Sequence, residues 1–142
     1  LTRSSAASDV YKRQEEMGIY TTAYEKFGKF TYEMWRACRL VVDTGIHAFG
    51  WTRDEAVSFM EENTSLSIHE INTEIDRYIS WPGQALAYKT GEMKIRELRS
   101  KAERELGDLF DIRQFHEVIL EIGTVTLPIL EERVNKYIIS SK

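Results

Sequence analysis

The stretch "IDRYISWPGQALAYKTGEMKIREL", residues 75–98, decides how the chain is read. Its first residues finish one amphipathic segment, Trp81-Pro82-Gly83 interrupts the chain, and a second segment begins at once. Proline is tolerated in the first turn of a helix because the N–H it lacks would be unpaired there anyway. Pro82 therefore predicts the first turn of a long helix running to about Leu106. Ile95, Leu98, Ala102 and Leu106 form its apolar stripe, yet the same face carries Gln84, Tyr88 and Gly91 further up, where packing alone would favour leucine. Glycine in a helix costs roughly 1 kcal/mol relative to alanine. Gly91 thus implies close helix contact or room for a substrate chain, and Tyr88 reads either as packing or as a phenol placed to donate to an oxyanion.

Three- and four-residue apolar steps run outward in both directions. On the N-terminal side, Phe27, Phe30, Met34, Cys38, Val41, Val42 and Ile46 predict a long helix over about 22–48, ended near Gly45 and Gly50. Thr52 with Glu55, and Ser67 with Glu70, are capping boxes, in which hydroxyl and carboxylate satisfy each other's free backbone N–H groups. They predict helices over 53–63, burying Ala56, Phe59 and Met60, and over about 67–79, with Ile68, Ile71, Ile75 and Ile79 facing inward. Asp111 and Gln114 open a fifth helix that Gly123 closes, and Pro128 opens a last one to about Ile139. No strand-like alternation appears. The fold class is all-α.

The 142 residues are 42% hydrophobic and 30% charged, enough for one domain's core. A net charge of −4 offers no basic stripe to neutralise phosphates, which argues against nucleic acid as a partner. No apolar run approaches the roughly 18 residues of a membrane span. Cys38 is the single cysteine, so no internal disulfide forms, and a small buried hydrophobe is the expected role. The compartment is left open. "LTRSSAASDVYKRQ", residues 1–14, has no apolar period and is expected to be a non-native, adapter-like segment, leaving residues 15–142 as the helical part.

Two half-motifs resemble the start of a zinc-peptidase H-E-x-x-H: His69-Glu70 and His116-Glu117. The second histidine is missing from both, with Thr73 and Leu120 in its place, so no metal ligand is assigned. Arg36, Asp43 and His47 lie along one stripe of the first helix, bordered by Arg39. A carboxylate between a guanidinium and an imidazole could orient both around a site. The alternative is an interhelical ion pair or a solvated face.

"YEMWRACRLVVDTGIH" (32–47) and "DRYISWPGQALAYKTGEMKIRELR" (76–99), with "FDIRQFHEVIL" and "LPILEERV", resemble the C-terminal part of the bacterial family called domain of unknown function 885. The resemblance covers residues 15–139. The family is similar to helical zinc metallopeptidases such as angiotensin-converting enzyme, thimet oligopeptidase and carboxypeptidase Taq. By that resemblance the chain is the C-terminal, multi-helix part of a larger metallopeptidase-like fold. Its zinc ligands and general base are expected upstream of the matching region, so zinc would belong to the full-length parent. What the resemblance leaves here is a wall of the substrate cleft. Tyr88 matches the tyrosine that donates to the tetrahedral intermediate, with Tyr78 and Arg77 as alternatives and Arg36, Asp43 and His47 behind them. The implied substrate is a peptide or modified peptide. The rival reading is a stand-alone helical interaction module without activity. Under the fragment reading, an exposed apolar face is expected to drive self-association, whereas a strictly monomeric chain would favour the stand-alone module.

Overall fold

A computed structural model describes residues 18–121 and 123–142; the 1–14 segment lies outside them. Among the described residues the chain is helical without strands. Helices α1 (Ala23–Phe49), α2 (Arg53–Asn63), α3 (Ile68–Ser80), α4 (Ala87–Leu106), α5 (Ile112–Leu120) and α6 (Leu127–Ser140) follow in order, with a 3₁₀ turn at Gly107–Leu109. Two compact units result, residues 18–89 and residues 90–142.

The first unit is α1 packed against α2 and α3. Both expected capping boxes form, Glu55 N–H to Thr52 Oγ1 and Glu70 N–H to Ser67 Oγ, each reciprocated by the glutamate. Thr22 and Glu25 make a third at the start of α1. Cys38, Val42, Ala56, Met60, Ile71, Ile75, Tyr78 and Ala85 form the core. On α3 the buried face is centred on Ile71, Ile75 and Tyr78, while Ile68 and Ile79 are exposed. The inward stripe is therefore rotated from the one expected, and a tyrosine takes the position assigned to an isoleucine.

Of the α1 stripe only Cys38, Val42 and Ile46, all in its second half, pack against the core. Phe27, Phe30, Met34 and Val41 are exposed, as is Tyr24. For the N-terminal residues length supplies the reason: at 1.5 Å per residue, a 27-residue helix runs about 40 Å, and the 13-residue α3 about 20 Å.

At its C-terminal end, α1 closes on Gly50 in the left-handed region (φ 71°). Trp51 then folds back and donates its N–H to Gly45 O at 2.9 Å. Its indole lies on Gly45 so closely that a β-carbon there would sit 2.4 Å from the ring. Gly45 is thus a packing position rather than a helix exit.

In the second unit, Ile95, Leu98, Ala102 and Leu106 of α4 meet Phe115, Ile119, Leu130, Val134, Tyr137 and Ile138 of α5 and α6. Lys94 bridges Glu97 and Glu131, both at 3.0 Å, and Lys101 donates to Asn135 at 2.8 Å. Asp111 caps α5 through Arg113 N–H, and Pro128 falls in the first turn of α6 as expected.

Gly45→Ala is expected to lower stability by about 1–3 kcal/mol through overpacking against Trp51. Gly28→Ala, with nothing within 4 Å of the added carbon, should raise it by about 0.5–1 kcal/mol. Urea unfolding of the two variants checks the pair; equal effects would remove the indole as the cause.

Candidate functional site

The α3–α4 break departs from the expected helix start. Residues 81–86 form successive turns, with Gln84 N–H to Trp81 O and Leu86 N–H to Gly83 O, both 3.3 Å, and α4 begins only at Ala87. Gly83 has φ 79°, which no helical first turn allows. Gln84 is accordingly a turn residue, while Tyr88 and Gly91 are in the helix.

Pro82 has a second consequence. A helix continuing past Ser80 would pair the carbonyl of Tyr78 with the N–H of residue 82, and proline has none. His47 fills that role: its Nε2 lies 3.0 Å from Tyr78 O. A carbonyl only accepts, so Nε2 carries the proton. One turn earlier on α1, both oxygens of buried Asp43 accept the Gly83 N–H at 3.1 Å. Asp43 therefore does not lie between Arg36 and His47 as a shared partner. It and His47 fasten the break to α1, and the Arg36 guanidinium lies 5.9 Å over the ring of Tyr32.

The fastened break closes a polar network. Tyr78 is almost fully buried; its phenol accepts from Trp35 Nε1 at 3.0 Å and donates to Glu74 Oε2 at 2.8 Å. Arg77 grips the same carboxylate through Nε and Nη2 and donates from Nη1 to Gln84 Oε1 at 3.1 Å. Arg39 donates from Nη2 to that same amide oxygen at 3.0 Å. The Arg39 guanidinium lies 4.4 Å over Tyr88, 5.2 Å over Tyr78 and 5.9 Å over Trp35. The Tyr88 phenol makes no hydrogen bond among the described residues. Beside the network, Tyr32, Trp35, Leu66, His69, Glu70, Thr73 and Glu74 line a cleft of about 340 Å³.

Burial alone would raise the Glu74 carboxyl, but hydrogen bonds from Arg77 and Tyr78, with the charges of Arg77 and Arg39, outweigh it and hold it below its ordinary value. Burial pushes the Tyr78 phenol well above the ordinary phenol range, and its bond to Glu74 adds to this.

The structure brings Tyr78, Arg77 and Tyr88 together, with Asp43 and His47 as anchors and Arg36 to the side. Sequence reasoning missed Glu74 and Trp35. Glu74 carried a signal, since Arg77 and Tyr78 follow it by three and four residues and so share its helix face. Among the described residues no three His, Cys, Asp or Glu side chains converge as a metal site.

A bundle of helices carrying a buried guanidinium–carboxylate–phenol network on one side of a cleft is the class of protein these features define. The chain belongs to the family described as bacterial protein of unknown function (DUF885), whose model matches residues 13–134. It is also similar to a crystal structure described as "the putative lipoprotein from Colwellia psychrerythraea", with a TM-score of 0.87 and 42% identity. That match covers 91% of this chain and 22% of the other, so the chain spans less than a quarter of that protein's length. No curated protein matches the chain. No described helix is long and apolar enough to cross a membrane.

Glu74→Gln should cost roughly 1–3 kcal/mol at pH 7 by weakening the charge-assisted bonds of Arg77 and Tyr78. A carboxyl whose value is lowered on folding stabilises above its unfolded value of about 4.5 and loses that contribution as pH falls through the lowered one. The gap between wild type and Glu74→Gln in urea unfolding should therefore narrow below pH 4.5. A gap unchanged at low pH would dissociate the stability from the Glu74 charge.

Proposed function

We propose that this segment forms part of the substrate-cleft wall of a peptidase-like hydrolase, and that Tyr88 donates its phenolic O–H to the oxyanion formed during cleavage of a peptide or modified peptide. The supporting observation is the difference between the two tyrosines. Tyr78 has its single O–H committed to Glu74 in the core, whereas the Tyr88 O–H is unengaged among the described residues, with its ring held against Arg39. A donor fixed before reaction, with no competing partner to give up, is what transition-state stabilisation requires. By the family resemblance, zinc in a full-length parent would be held by residues upstream of the matching region, and no step through it is assigned to this chain. Arg77, gripping Glu74 and Gln84, positions rather than reacts.

In a full-length family protein carrying this segment, Tyr88→Phe should lower kcat by about 10²–10³ with KM little changed, because only a bond made in the transition state is removed. Tyr78→Phe should act chiefly on stability. If Tyr88→Phe leaves the rate intact while Tyr78→Phe or Arg77→Lys abolishes it, the donor lies before the break.

The exposed stripe of Tyr24, Phe27, Phe30 and Met34 favours a second reading, an interaction module that binds a partner through α1. Sedimentation over rising concentration separates the two: self-association that Phe27→Glu removes is expected of a piece of a larger fold, and a monomer at all concentrations would favour the module.

A further inference from the structure

We propose that Arg39 and Arg77 form a receptor for a carboxylate of the substrate, the amide oxygen of Gln84 holding the position that an anionic oxygen would take. The proposal deepens the cleft-wall reading and rests on it. Gln84 Oε1 accepts from both guanidinium groups, Arg39 Nη2 at 3.0 Å and Arg77 Nη1 at 3.1 Å. One oxygen between two cations is the arrangement a carboxylate favours, since it adds its own charge to that of the guanidinium groups and offers a second oxygen for a bidentate bond.

Arg39 carries the argument. It is 5% exposed, and among the described residues its Nε has no hydrogen-bond partner and it makes no contact ion pair, Glu74 reaching it only through longer-range charge. Three ring faces and one neutral amide surround it instead. The carboxylates nearby are engaged elsewhere, Glu74 by Arg77 and Tyr78 and Asp43 by the Gly83 N–H. A buried guanidinium with no carboxylate in direct contact is costly to keep, whereas its planar fork suits a carboxylate from outside. Gln84 is free of any helix, since it sits in the turns at 81–86, so its side chain can give way without unwinding α4.

The test uses the chain itself and needs no turnover. N-acetyl-dialanine with a free carboxylate, its C-terminal amide and inorganic phosphate are titrated calorimetrically. The carboxylate is expected to bind and the amide not, with affinity falling at least about tenfold in Arg39→Met. Gln84→Glu supplies the anion internally and should abolish binding while raising the melting temperature by about 3 °C or more. This second variant decides the matter if Arg39→Met does not fold. Equal binding of acid and amide, tighter binding of phosphate than of the carboxylate, or a Gln84→Glu protein no more stable than wild type would each overturn the proposal. Because turnover is not read, failure here leaves the kinetic test of Tyr88 standing, and failure of that test leaves this one standing.

Discussion

The attachment of the Trp81-Pro82-Gly83 break to α1 is the constraint on which the candidate site depends. Proline removes the N–H that the Tyr78 carbonyl would have used, and His47 replaces it. Glycine at φ 79° turns the chain where a side chain would resist, and Asp43 holds that turn by its N–H. With both ends of the break fixed to one helix, Ala85 is delivered into the core and Gln84 to the two arginines. Asp43 and His47 thus act on the site through backbone geometry. Their one-turn separation on α1 matches the short span between the carbonyl of residue 78 and the N–H of residue 83.

Much of this architecture was legible because it is local. Thr52 with Glu55 and Ser67 with Glu70 define helix starts through bonds made within a single turn, and the structure forms both. Pro82 was legible as a break but not as a helix start, because Gly83 behind it takes a conformation that sequence alone leaves open. The rotation of α3 toward Tyr78 was hidden for another reason. A tyrosine is buried when its hydroxyl finds partners, and those partners, Trp35 on another helix and Glu74 one turn back, depend on the packed arrangement. On α1 the apolar period was read correctly, but period cannot say how far a partner reaches. α3 covers about half that length, so Phe27, Phe30 and Met34 stay exposed.

The candidate site was only partly legible. Tyr88, Tyr78 and Arg77 could be named from spacing and resemblance. The sharing of one amide oxygen by Arg39 and Arg77 joins α1, α3 and the turn, and no spacing rule spans 45 residues. Arg36, by contrast, shares a helix stripe with Asp43 and His47 but is directed at Tyr32. Position on a stripe fixes direction within about a quarter turn; it does not choose between partners on either side.

Folding alone would not favour this cluster. An unpaired buried N–H costs roughly 1–3 kcal/mol, and replacing buried ionic groups by apolar ones of similar shape is often neutral or stabilising. Arg39 carries that cost, while Cys38 and Val42 on the same helix show that the interior beside it accepts ordinary hydrophobes. The rings of Trp35, Tyr78 and Tyr88 recover part of the energy through their faces, but they also hold the guanidinium plane in one orientation. A charge fixed in direction and met by a neutral acceptor on a turn costs the fold stability, and in the proposed carboxylate receptor selectivity for an anion of matching shape is what would offset that cost. That exchange is understandable at a surface that recognises a ligand, and Glu74 completes it. By gripping Arg77 with its carboxylate and accepting the Tyr78 hydrogen bond, it keeps the second guanidinium in place, while it acts on the first only through longer-range charge.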